Sequence, residues 1–73
     1  MNLPSRNQIR RGARVRIVMK QDQASGLLTE GIVSDILTSA RDHPHGIKVR
    51  LVDGKVGRVK EICDQAGQPR PGN

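Results

Sequence analysis

Between Ile9 and Ile62 the apolar residues recur mostly at alternate positions, the pattern of strands with one face against a core. In Ala13-Arg14-Val15-Arg16-Ile17-Val18-Met19-Lys20, one face carries Ala13, Val15, Ile17 and Met19, and the other carries Arg14, Arg16 and Lys20. The polar stretch Gln21 to Gly26 predicts a turn. A second extended segment then runs from Leu27 to Thr38, and Gly31 inside it predicts a bend or bulge. Ile47, Val49 and Leu51 alternate with Lys48 and Arg50 in a third strand. Asp53-Gly54 then signals a hairpin into a fourth strand, Lys55 to Ile62. Val and Ile outnumber Leu 13 to 4 over residues 9–62, which favours strands over helices.

The length of that last turn decides which side chains meet. A three-residue turn, Val52-Asp53-Gly54 with Gly54 left-handed, sets Ile47 against Val59 and Val49 against Gly57, with Lys48 and Arg58 together outside. A two-residue turn would put Arg58 inside, and burying an unpaired guanidinium costs far more than a bulge, so the longer turn is expected. A weak internal repeat points the same way. Val15-Arg16-Ile17-Val18 is echoed by Val49-Arg50-Leu51-Val52, and Gly31-Ile32-Val33-Ser34-Asp35-Ile36 by Gly57-Arg58-Val59-Lys60-Glu61-Ile62. Each half is then a hairpin. In the second strand of each, Val and Ile stand three apart (33 and 36, 59 and 62), so both can face inward only if the strand carries a bulge or ends in a tight turn. Such kinks curl a sheet towards closure. The expected fold is all-β: a small SH3-like (KOW-like) barrel of four to five antiparallel strands over residues 9–63. Residues 1–8 and 64–73, rich in Pro, Gly and Asn and without apolar periodicity, are expected to be a flexible start and a disordered tail.

Composition narrows what such a barrel can do. Seventy-three residues allow one small domain and exclude a multidomain enzyme. The chain contains no Phe, Tyr or Trp, so no aromatic ring can stack on a nucleobase or cage a methylated lysine. Thirteen Lys and Arg against seven Asp and Glu give a net charge of +6, which points to a polyanionic partner. No apolar stretch approaches the roughly 18 residues that could span a membrane, and Met1 to Arg6 lacks the apolar run of a signal peptide, so a cytoplasmic protein without membrane contact is expected. One cysteine, Cys63, makes no internal disulfide.

Several runs resemble the YwbE-like family, small bacterial and archaeal proteins of uncharacterised function. They are Lys20-Gln21-Asp22-Gln23, Ser25-Gly26, Leu28-Thr29 with Gly31, Asp35-Ile36-Leu37-Thr38, His43 to Leu51, Asp53-Gly54, and Val56-Gly57-Arg58-Val59. The resemblance covers most of residues 9–62 and implies no known activity. Gly31-Ile32-Val33 and Gly57-Arg58-Val59 are similar to the Gly-x-Val pattern of KOW-type barrels in ribosomal and transcription proteins. The usual KOW opening has an acidic residue after its first Gly, whereas Gly12 is followed by Ala13, so no function is carried across.

Candidate chemistry rests mainly on the basic residues. Arg14, Arg16, Lys48, Arg50 and Arg58 alternate with apolar residues and should project from the outer face, where clustering would make a phosphate-binding patch. Lys20, His45 and Lys60 complete the candidate nucleic-acid contacts. The plainer reading is a solvated strand face whose charges keep strand edges from aggregating. Without aromatics, structured RNA suits such a face better than single strands. Gln21, Asp22, Gln23, Ser25 and His43 are candidate loop recognition groups, although Asp22 and Gly26 are also what a turn requires. His43, His45 and Cys63 could supply three zinc ligands, but no familiar spacing completes the set, so neither metal nor cofactor is expected. No nucleophile and base pair and no phosphate-binding Gly loop is visible, and Asp35 and Glu61 are too isolated to act as an acid and base dyad. The expected function is a monomeric, non-catalytic module that binds structured RNA or a ribonucleoprotein. The alternative is a protein-interaction module that uses a strand edge or the 20–26 loop.

Overall fold

The computed structural model describes residues 3–63. Four strands, β1 (Arg14–Met19), β2 (Thr29–Ile36), β3 (Lys48–Leu51) and β4 (Val56–Ile62), run antiparallel in chain order, and β4 closes back on β1. The result is an all-β barrel at the lower end of the expected strand number. No helix among the described residues is long and apolar enough to cross a membrane.

The inward faces follow the alternation. Val15, Ile17, Val33, Ile47, Val49, Leu51 and Val59 are fully buried, and Ile9 joins them from the segment before β1. Each such side chain contributes roughly 1.5–3 kcal/mol by leaving water, which lets branched aliphatics stabilise a core with no aromatic ring. Val18 breaks the alternation. It is only 6% exposed, yet it lies outside the core cluster, on the outer face of β1.

The β3–β4 hairpin takes the three-residue turn. Lys48 faces Arg58 and Val49 faces Gly57, Gly54 has φ +96°, and the Val59 N–H donates to the Ile47 carbonyl at 2.8 Å. Arg58 therefore stays outside. Both odd Val-to-Ile spacings resolve as bulges. On β2, Val33 faces Leu51 but Asp35 faces Arg50, so Ser34 is the extra residue; on β4, Val59 faces Ile17 but Glu61 faces Arg16, so Lys60 is the extra residue.

The two halves correspond pair by pair. Val15 with Gly31 matches Val49 with Gly57, Arg14 with Ile32 matches Lys48 with Arg58, and Ile17 with Val59 matches Leu51 with Val33. Gly31 differs from expectation, because the β1–β2 register runs through it without a shift and the bulge falls three residues later. Its role is close approach. A Cβ at Gly31 would stand 2.5 Å from Leu51 Cδ1, and one at the equivalent Gly57 would stand 2.6 Å from the Val18 carbonyl oxygen.

Within the expected flexible start, Arg6–Gln8 forms a 3-10 turn. The Arg6 N–H donates to the Arg41 carbonyl and Arg6 Nε to the Thr38 carbonyl, both at 2.8 Å. These anchors are polar, so apolar periodicity gave no sign of them. The expected tail, 64–73, lies outside the described residues, as do Met1 and Asn2.

Candidate nucleic-acid interface

The outward-pointing cations do not form a single patch. One set is neutralised by neighbouring carboxylates because of the strand register. Arg16 lies between Glu30 on β2 and Glu61 on β4 and pairs with both, at 3.4 and 3.0 Å. Those hydrogen bonds, first to Glu30 and then to Glu61, push the Arg16 pKa further above its ordinary value. Arg14 reaches Glu30 at 3.3 Å, and Arg50 reaches its cross-strand partner Asp35 at 3.3 Å. Three guanidinium groups thus meet three carboxylates, and this face carries no net charge. The pairs are about half exposed, so water screens them and each adds little to stability.

The other set lies where β1, β4 and β3 adjoin. Val18, Arg58 and Lys48 form one cross-strand row, and Lys60 stands two residues along β4 in its bulge. The loop between β2 and β3 holds two of these cations, Arg58 and Lys60, through neutral oxygens. Arg58 Nη1 donates to the Gly46 carbonyl at 3.3 Å and to Thr38 Oγ1 at 3.5 Å, and Lys60 Nζ donates to the His45 carbonyl at 2.8 Å. A carbonyl fixes the position of a cation without cancelling its charge. Among the described residues, Lys20, Lys48, Arg58 and Lys60 form no ion pair with a carboxylate.

Two adjoining hollows open over Val18. One, of about 350 Å³, is lined by Val18, Gln23, Gly26, His45, Arg58 and Lys60. The other, of about 460 Å³, shares Val18, Gln23 and Arg58 and adds Lys20, Gln21 and Lys48. Of the eight candidate contacts, Lys20, His45, Lys48, Arg58 and Lys60 line these hollows, whereas Arg14, Arg16 and Arg50 do not and are paired with carboxylates.

The candidate loop residues divide as well. Gln21 and Gln23 line the hollows, whereas the Asp22 carbonyl accepts the Gly26 N–H at 2.8 Å and Ser25 Oγ at 3.3 Å, and Ser25 Oγ accepts the Leu27 N–H at 3.2 Å. Asp22 and Ser25 thus build the turn, with the Asp22 backbone rather than its carboxylate as the acceptor. His43 faces a separate hollow with Leu3, Pro4, Ser5, Gln8, Asp42 and Pro44. Burial, then the nearby Arg58 and His45 charges, hold the His43 pKa below its ordinary value. Its ring centroid is 5.7 Å from that of His45. Cys63 instead senses Glu30, Arg16, Glu61 and Arg14, and burial followed by Glu30 pushes its thiol pKa up. Among the described residues, no three His, Cys, Asp or Glu side chains group as metal ligands.

Two site residues were not foreseen. Val18 forms the floor, and its only signal was an apolar residue directly after Ile17, out of step with the alternation. Thr38 links the loop to the strands, because its Oγ1 accepts the Lys48 N–H at 2.8 Å as well as Arg58 Nη1. No pattern marks it.

Comparison with known proteins gives one consistent result. A sequence model described as "Uncharacterized conserved protein (DUF2196)" matches residues 2–62. The chain is also 56% identical over 62 residues to "Uncharacterized protein YwbE" of Bacillus subtilis (strain 168), covering 85% of this chain and 95% of that protein. No solved structure matches.

Proposed function

The chain belongs to the YwbE-like family of uncharacterised conserved proteins (DUF2196), and we propose that its barrel is a non-catalytic module that binds structured RNA, alone or in a ribonucleoprotein. The observation that carries this reading is the arrangement over Val18, where four cations lie together without a carboxylate partner among the described residues, two of them, Arg58 and Lys60, held by carbonyls. An exposed carboxylate partner would compete with an incoming phosphate, whereas a carbonyl partner leaves the full charge to attract one. His45 and Gln21 add further hydrogen-bonding groups at the rim.

Affinity for a stem–loop RNA measured over a range of salt concentrations tests this. Four engaged phosphates predict a slope of log affinity against log salt of roughly −3 to −4. Changing Lys48, Arg58 and Lys60 together to Gln should weaken binding and lower the slope by about one unit per residue. A flat salt response, or a triple variant that binds as well as the parent, refutes the proposal.

The alternative, a protein partner, is favoured by one observation: Leu27 is 61% exposed directly after the 20–26 turn. A partner held there would leave affinity nearly independent of salt. Each strand has a neighbour on both sides in the closed barrel, so no strand offers a full-length open edge, and the exposed loop is the larger surface for that alternative.

A further inference from the structure

Contact with phosphates needs only cations on an open surface, and it gives no reason for a recessed floor between two loops. Here the outer face descends to Val18, which lies directly opposite Arg58 on β4. The bonds from Arg58 Nη1 to Gly46 and Thr38 hold the guanidinium beside that floor. Gln23 lines both hollows, and its side-chain amide makes no hydrogen bond among the described residues, so its donors and acceptor are available. Lys60 closes the rim at the His45 carbonyl. An apolar floor, a guanidinium plane, an unused amide and a cation at the rim match the parts of one nucleotide, and about 350 Å³ falls within the size of small-ligand sites.

We infer that this cleft takes a single unpaired nucleotide extruded from structured RNA. The base lies on Val18 beside Arg58, Gln23 bonds its edge, and the flanking phosphate meets Lys60 and His45. The inference rests on the RNA-binding reading above and names the feature recognised. A paired base in an A-form helix offers its major-groove edge only in a deep, narrow groove that side chains cannot read, so it cannot reach such a floor. A bulged base has already lost its pairing and costs little to extrude.

The test compares two blunt RNA duplexes of equal length over the same range of salt concentrations, one fully paired and one with a single-nucleotide bulge, together with free nucleoside monophosphates. The bulged duplex should bind roughly tenfold more tightly than the paired one, as expected when one base gains an apolar contact and edge hydrogen bonds. Gln23→Ala should reduce that preference to near unity. Equal binding of the two duplexes with a steep salt slope overturns the single-nucleotide inference and leaves the RNA reading standing. Binding of neither overturns both. Free monophosphates that bind as tightly as the bulged duplex would make the cleft a small-nucleotide site and overturn the assignment to RNA.

Discussion

Arg50 and Arg58 alternate with the same kinds of apolar neighbour on adjacent strands, and they differ in what stands beside each. Arg50 faces Asp35 and shares its charge, whereas Arg58 faces Lys48 and is held by Gly46 and Thr38. Arg58→Gln should therefore weaken RNA binding about tenfold, within the roughly 1–3 kcal/mol expected for one good contact, while Arg50→Gln changes it less than about twofold. A titration giving equal losses would refute the division into two sets. Cys63 makes a second contrast. Burial and Glu30 raise its pKa despite two nearby arginines, so little thiolate exists near neutral pH. Iodoacetamide should modify it more slowly at pH 8 than a small peptide thiol, with the pH–rate midpoint displaced upward, and an equal or faster rate would contradict this. No spacing in the sequence distinguishes Arg50 from Arg58, because the difference lies in cross-strand partners 15 and 10 residues away in the chain.

At the scale of strands and hairpins, much more was legible. The three-residue turn followed from keeping Arg58 out of the core, and the bulges from the three-residue Val-to-Ile spacing, because both arguments weigh a large local cost against a small one. The repeat became informative for the same reason, since its halves share the inward pairs Val15/Val49, Ile17/Leu51 and Val33/Val59 and the bulges at Ser34 and Lys60. It also shows why Asp35 and Glu61 have cross-strand arginines, Arg50 and Arg16, at matching positions. Gly31 was misjudged because a strand glycine signals either a bulge or a close approach, and sequence does not say which. The equivalent glycines should differ in their tolerance of substitution. A Cβ at Gly57 meets the Val18 carbonyl oxygen at 2.6 Å and Ile17 Cδ1 at 2.9 Å, whereas the three atoms nearest one at Gly31 all belong to the Leu51 side chain. Backbone gives way less easily than a side-chain tip. Urea unfolding should show Gly57→Ala destabilised by roughly 2–3 kcal/mol and Gly31→Ala by about 1 kcal/mol, and the reverse order would show that the Gly57 approach can relax.

Over the whole molecule, carboxylates neutralise some of the cations and, among the described residues, leave others unpaired. Among the described residues, five of six carboxylates pair with Arg14, Arg16, Arg41, Arg50 and Lys55. Seven cations remain against Asp22, and Lys20, Lys48, Arg58 and Lys60 among them surround the Val18 cleft; Arg10 and Arg11 line a separate hollow. Net charge was legible from composition, but its location depended on register. This arrangement also couples binding to protons through His43. Its folded pKa lies below the ordinary value near 6.5, so its contribution to stability is fully present above that pH and is lost as the pH falls through the folded pKa. A phosphate docked at Arg58 would offset one of the charges that depress His43, raising its pKa and favouring proton uptake in the complex. RNA affinity should therefore rise as the pH falls from about 7.5 to 5.5, while the unliganded protein loses thermal stability over the same interval. His43→Gln should reduce both trends. Anisotropy titrations and melting curves across that range decide the matter, and an affinity that falls with acidification would show that no phosphate docks near Arg58 and His43.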